Sequence, residues 1–215
     1  MLLLSPNGLF SVYLATLAEV VARLKPESVC EIGFGSGKNL IYLAPRFPDI
    51  RFSGFELARN GVALARWLQE AETLSPNLAK LVGQTDSDPM VAIRRIAFLH
   101  GNGQDLPAPD KSIDLTFTVL ALEQMWPILP RVLAEIRRIT RNQVLFLEAF
   151  RDVNDWLGYL NLLTRNYFRA PVRQVAAAGF KPLALLDHFP NKHTFRTAAL
   201  VAEVVPESSA AQGSD

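Results

Sequence analysis

The chain has 215 residues, 49% of them hydrophobic, and 22 Lys+Arg against 21 Asp+Glu leave a formal charge of +1. That is apolar content for one packed domain, without the basic excess that phosphate-backbone binding requires, so nucleic acid is not expected as a partner. Its single cysteine, Cys30, excludes an intramolecular disulfide and points to a reducing compartment, and the absence of about 18 uninterrupted apolar residues excludes a membrane span.

The opening "MLLLSPNGLF" lacks a basic region and is broken by Pro6 and Gly8, which argues against a signal peptide. Apolar spacing predicts a helix over 9–24, ended by Lys25-Pro26. "SVCEIG" then reads as a buried strand that feeds a glycine loop and a helix over 38–47. "IRFSGFEL" is the second strand, and the helix behind it is expected over 58–74. Residues 75–95 carry turn formers and read as an insertion or an elaborated helix layer, with a short helix from Pro89.

"IAFLHGNG" is the third strand, "IDLTFTVLAL" the fourth, 126–140 a helix and "QVLFLEAF" the fifth strand. Beyond Arg151 an aromatic-rich helix over 151–168 is followed by a helix closed at Gly179. The runs "KPLALLDHFP" and "TFRTAALVAEVV" close the pattern as an antiparallel hairpin. This alternation predicts an α/β fold: a doubly wound, mainly parallel, Rossmann-like sheet of seven strands with helices on both faces. One domain is expected over 1–205, with a polar, flexible tail over 206–215.

The stretch "VCEIGFGSGKNL" carries the chemistry. A Walker A loop needs Gly and Ser/Thr where this chain has Ile32 and Asn39, and the dinucleotide fingerprint needs its third glycine where Lys38 stands. What remains is Glu31-x-Gly33-x-Gly35-x-Gly37, which resembles the first motif of class I S-adenosylmethionine-dependent methyltransferases. Three further stretches are similar to the same superfamily. They are Glu56 at the end of the second strand, "GNGQDLPAPDKSIDLTFT", and "ALEQMWPILPRVLAEIRRIT" after the fourth strand. The resemblance runs over roughly 28–149.

It implies S-adenosyl-L-methionine as cofactor, lying outside the carboxyl ends of the strands. Gly33, Phe34, Gly35 and Gly37 would meet its methionine part, and Glu31 its amino group, directly or through water. Glu56, which accepts without offering a donor, would take the ribose hydroxyls, with Leu57 beside it. Asn102 replaces the usual aspartate at the adenine, Gly103 offers a backbone N–H there, and Thr118 and Val119 end the fourth strand beneath the amino-acid moiety. A metal is not implied.

Methyl transfer from a sulfonium is a direct displacement, so aligning the acceptor matters first and a base is optional. Base candidates are Glu148 and Gln124, at the cofactor end of the sheet, and His188, beside the final turn with His193. Glu148 reads equally as a capping carboxylate and His188 as a core or surface imidazole. The segment 151–169 reads as a substrate lid walled by Trp156, Tyr159, Tyr167 and Phe168, or as packing on the sheet.

The resemblance implies a soluble, cytoplasmic methyltransferase acting on an oxygen or nitrogen of a small molecule. Its rivals are a protein or RNA methyltransferase and a catalytically inactive cofactor-binding partner subunit. The post-strand "LEQM" lacks the Asn/Asp-Pro-Pro-Tyr/Phe signature of enzymes that methylate base or glutamine amino groups. No motif encodes the oligomeric state.

Overall fold

The computed structural model describes residues 9–86, 88–187, 189 and 195–206. Its strands form one seven-stranded sheet in the order β3-β2-β1-β4-β5-β7-β6, the mainly parallel arrangement with a C-terminal antiparallel pair that the alternation predicts. The chain clusters into two compact units, Met1–Leu106 and Pro107–Asp215.

In the first unit, α1 (Leu9–Leu24) buries Tyr13, Leu14, Leu17, Val20 and Val21 along one face, and a left-handed Lys25 before Pro26 ends it. Then come β1 (Ser28–Ile32), α2 (Lys38–Leu43), β2 (Arg51–Glu56) and α3 (Arg59–Glu70). The unit finishes with α4 (Pro76–Val82), α5 (Pro89–Ile93) and β3 (Ala97–His100). β1 is buried throughout and pairs in parallel with β2, setting Glu31 opposite Gly54. β2 pairs in parallel with β3.

Two helices are shorter than their apolar spacing suggests. α2 stops at Leu43, not 47, because Pro45 has no N–H for the helical ladder. α3 stops at Glu70, not 74: Ala71 turns extended, and its carbonyl accepts from Arg94 Nη2 at 3.2 Å. The supposed insertion is two short helices, each entered through a proline, with Asp88 capping the second by accepting the Met90 N–H at 2.9 Å.

The second unit holds β4 (Ile113–Val119), 3-10 turns at Leu122–Gln124 and Trp126–Ile128, α6 (Leu129–Ile139) and β5 (Thr140–Glu148). A 3-10 turn at Arg151–Val153 leads to α7 (Trp156–Thr164), α8 (Val172–Ala177), β6 (Phe180–Leu186) and β7 (Ala198–Val204). β4 and β5 are parallel, while β7 runs antiparallel to both β5 and β6. β4 ends at Val119, not Leu122, because Leu120 adopts φ 51° and turns the chain out of the sheet. The helix expected over 126–140 is split by its prolines, and α6 begins at Leu129 with Pro130 in its first turn, where no N–H is missed. The long helix expected over 151–168 contracts to α7, with Asn166 left-handed just beyond it.

Leu115, Phe117, Phe146 and Phe180 make the fully buried centre of this unit, with Phe146 and Phe180 meeting edge to face at 5.5 Å. His188, His193 and the end of the tail lie outside the described residues. No helix among those described is long and apolar enough to cross a membrane.

Candidate functional site

The glycine loop joins β1 to α2. Gly33, Gly35 and Gly37 all have positive φ, 76°, 56° and 76°, a path that L side chains resist. Their neighbourhoods differ. A Cβ on Gly35 would meet nothing within 4 Å, so the loop presents bare backbone there. On Gly37 it would lie 2.5 Å from the Phe98 ring and 3.2 Å from Ala65, so this glycine lets α2 pack against β3 and α3. Phe34 turns its ring inward, buried 5.1 Å from the Phe98 ring, and only its backbone remains for a ligand.

Glu56 holds the loop from the end of β2. One carboxylate oxygen accepts the Gly35 N–H at 2.8 Å and the other the Ala58 N–H at 2.8 Å. A carboxylate has about four lone-pair sites, so each oxygen keeps one acceptor position. Gly61, which sequence reasoning missed, allows this closeness: a Cβ there would sit 2.8 Å from the Gly35 carbonyl and 3.1 Å from Glu56 Cγ. Leu57 is 60% exposed, an apolar surface beside the carboxylate, and its carbonyl is 3.0 Å from His100 Nε2.

Glu31 is only 1% exposed. Its Oε1 accepts from Asn39 Nδ2 at 2.6 Å, whereas its Oε2 and Asn39 Oδ1 are buried without a hydrogen-bond partner among the described residues. Burial pushes the Glu31 carboxyl up to about 8 against the Asn39 hydrogen bond, with Glu56 adding to the rise. Asn39 was read in the sequence only as the residue that spoils a P-loop. Asn102 is exposed after β3, and its side-chain oxygen closes a local turn by accepting the Gln104 N–H at 3.1 Å. Gly103 beside it is buried.

In the second unit, Glu148 ends β5 with its side chain 0% exposed. Its Oε1 accepts from the Thr118 hydroxyl at 2.8 Å and from the Ala121 and Leu122 N–H groups at 3.1 and 3.2 Å. It therefore caps the turn that leaves β4, as its second reading suggested. Oε2 is buried and unpartnered among the described residues, and burial pushes the carboxyl up to about 8, with Glu123 adding to the rise. Thr118 spends its hydroxyl on this cap, Val119 is half-buried, and Gln124 is exposed at the turn's end.

The supposed lid divides. Phe168 is fully buried and meets Phe150 at 5.3 Å, and Tyr167 packs on Ala149, Leu162 and Phe195. Tyr159 lies under the Arg151 guanidinium at 4.5 Å. Trp156, Leu157, Leu160 and Leu163 are turned outward on α7.

Comparison with known proteins gives a consistent picture. A family model described as a methyltransferase domain matches residues 30–147. A fatty-acid O-methyltransferase of Mycolicibacterium smegmatis is 27% identical over 151 residues, 68% of this chain and 47% of its own length, so the chain spans about half of that relative. A SAM-dependent methyltransferase from Methanosarcina mazei superposes with a TM-score of 0.66 at 13% identity, covering 87% of this chain and 98% of that one. A putative sarcosine dimethylglycine methyltransferase from Galdieria sulphuraria gives 0.64 at 12%, covering 91% and 85%. At these identities the two structures speak for the fold.

Proposed function

The chain belongs to the methyltransferase domain family, and from that premise we propose that it is an S-adenosylmethionine-dependent methyltransferase and that it methylates an oxygen of a small apolar carboxylic acid. The observation that carries this reading is the condition of Glu148. Fully buried and committed through Oε1 to three donors of the turn after β4, it is engaged as a cap and not placed to reach an acceptor, and Gln124 has no basicity. A carboxylate acceptor arrives already ionised and needs no base. The fatty-acid O-methyltransferase relative and the outward apolar face of α7 support an acceptor with an apolar chain. An amine is the second reading, favoured by Glu123 acting on Glu148, since two carboxyls favour a cation.

The first unit's residues fit the cofactor. Glu31 offers a buried oxygen that lacks a donor, Glu56 keeps two acceptor positions for a diol, and Gly35 leaves backbone open to close approach. When bound, S-adenosylmethionine supplies a methyl group on a sulfonium, which is lost by direct displacement. Glu31, the glycine loop and Glu56 would hold and orient it, with Leu57, Asn102 and Gly103 towards the adenine. The cap by Glu148 and Thr118 would fix the turn after β4. Residues 1–205 are proposed to work as one domain. Balanced charge supports an acceptor other than nucleic acid, and the single cysteine, free and buried, supports a reducing, cytoplasmic setting.

The test is to incubate the protein with isotope-labelled methyl donor and a panel of fatty acids and long-chain amines, then identify products by mass spectrometry. Methyl ester formation with little dependence on pH between 6 and 9 is expected. Methylated amines, formed faster as pH rises, would move the assignment to nitrogen.

Glu56→Ala is expected to weaken S-adenosylhomocysteine binding by about 1.5–3 kcal/mol, the scale of hydrogen bonds to a charged group. Calorimetry checks this, and unchanged affinity would move the ribose contact elsewhere. On α7, Trp156→Ala should leave thermal stability and cofactor affinity unchanged while raising the acceptor's KM. Tyr167→Ala should instead cost stability, as part of the about 3–5 kcal/mol of a fully buried aromatic. Steady-state kinetics beside thermal unfolding checks both, and an unaltered KM in Trp156→Ala removes α7 from the acceptor site.

A further inference from the structure

α7 turns most of its apolar side chains to the outside. It buries Gly158 and Leu162 but exposes Trp156, Leu157, Leu160 and Leu163, Trp156 to 69%. Their spacing of i, i+1, i+4 and i+7 makes one apolar stripe along the helix. A second exposed apolar group lies at the same end of the sheet. Leu183, Leu185 and Leu186 of β6 are exposed, and Leu186 stands opposite Ala199, which stands opposite Leu147 beside the end of β5, the strand whose chain runs on into α7. Contiguous exposed apolar surface of this kind marks a contact site.

The charge around the stripe is one-sided. The Arg151 N–H donates to the Ala170 carbonyl at 3.1 Å, and the Val172 N–H to the Asp152 carboxylate at 2.7 Å. The chain after α7 therefore folds back on the chain before it, gathering Arg151, Arg169 and Arg173 at the base of the helix, while the exposed Arg165 follows its last turn. None of these arginines joins an ion pair among the described residues. Arg151 and Arg169 lie instead over the Tyr159 and Trp126 rings, at 4.5 and 4.4 Å. The aspartates of the segment are spent on backbone, Asp152 on Val172 and Asp155 on the Gly158 N–H at 2.8 Å.

We propose that α7, with the exposed end of β6, docks the protein on an anionic lipid bilayer. Trp and Leu along one face of a helix, with arginines around it, suit the membrane interface: the apolar stripe enters the acyl boundary and the guanidiniums meet headgroup phosphates. A second copy of the chain fits the surface less well. A two-fold contact would set the same arginines against each other, and β6 carries Pro182 and a register shift between Pro182 and Ala184, features that keep an edge strand from pairing with another. The docking goes beyond the acceptor assignment and does not depend on which atom is methylated.

Co-sedimentation with vesicles tests it, because binding is read without methyl transfer. The unaltered protein is expected to bind vesicles of mixed phosphatidylcholine and phosphatidylglycerol about tenfold more tightly than phosphatidylcholine alone, and to weaken as salt rises. Trp156→Ser combined with Leu160→Ser should lower binding to the mixed vesicles about tenfold. Arg165→Gln combined with Arg173→Gln should weaken binding to the mixed vesicles and leave the neutral ones unchanged. All four side chains are exposed, so thermal unfolding should stay as in the unaltered protein.

Equal binding to the two vesicle types, or none to either, would overturn the docking, and this comparison needs no variant to fold. Undiminished binding in both folded variants would overturn it as well. Dimerisation with rising concentration in sedimentation velocity, without vesicle binding, would give the face to a second copy. Methylation of a dissolved acid without vesicle binding would overturn the docking alone, whereas vesicle binding with methylated amines as product would overturn the acceptor reading alone.

Discussion

Glu148→Ala is expected to destabilise the protein by about 2–5 kcal/mol, because the substitution strands a hydroxyl and two N–H groups that share Oε1. Glu148→Gln keeps a carbonyl oxygen in that place and should fold nearly as well as the unaltered chain at pH 6. The pair separates the cap from the charge. Glu148 has a folded value near 8 against an ordinary 4.5, so between those values the native state holds a proton that the unfolded chain has released. Its contribution is therefore fully present below about pH 4.5 and is lost as pH rises through 8.

Glu31, raised from 4.5 to about 8 in the same way, contributes a second loss over the same window. Each slope is at most about 1.4 kcal/mol per pH unit. Urea unfolding at pH 6 and pH 9 checks this: the unaltered protein should lose stability at the higher pH, and Glu148→Gln should lose less. An equal loss in both would show that Glu148 does not titrate in this range.

Gly37→Val is expected to compromise the fold, whereas Gly35→Leu is expected to spare the fold and abolish cofactor binding. At Gly37 the first side-chain carbon already lies 2.5 Å from the Phe98 ring at φ 76°, so crowding of about 1–3 kcal/mol adds to left-handed strain of about 1–2 kcal/mol. At Gly35 there is no atom within 4 Å of that carbon, so only the strain remains. A leucine would project into the open side of the loop, where the cofactor is placed. Thermal unfolding with calorimetric titration of S-adenosylhomocysteine distinguishes the two variants. Normal binding in Gly35→Leu would show that the loop's open side is not the cofactor's seat.

The opposite duties of two glycines in one motif illustrate how far a linear pattern reaches. Their spacing marks a loop where backbone must turn with positive φ, but each vacancy faces a partner chosen by packing: Phe98 for Gly37, from a strand more than 60 residues later, and open space for Gly35. Asn39 shows the same thing. Beside Glu31 it completes a buried hydrogen-bonded pair, yet an amide eight residues from a carboxylate carries no signal until strand and helix fold together. Glu148 was legible as a residue at the end of a strand, a candidate base or a capping carboxylate. Its hydrogen bond to Thr118, near the end of β4 and some 30 residues away, forms only in the folded chain.

By itself, the sequence determined what local chemistry dictates: apolar runs of strand length alternating with helical spacing, glycines where side chains are excluded, and a carboxylate ending the second strand. Those features suffice for a doubly wound sheet and carry the family resemblance that implies the cofactor, because each depends on residues close together in the chain. Helix ends at Leu43 and Glu70, the division of the 151–169 segment into buried and outward side chains, and the upward push that burial gives the Glu31 and Glu148 carboxyls were decided only by the tertiary structure. Burial sets a carboxyl's desolvation and a ring's partners, and burial is a property of the assembled chain.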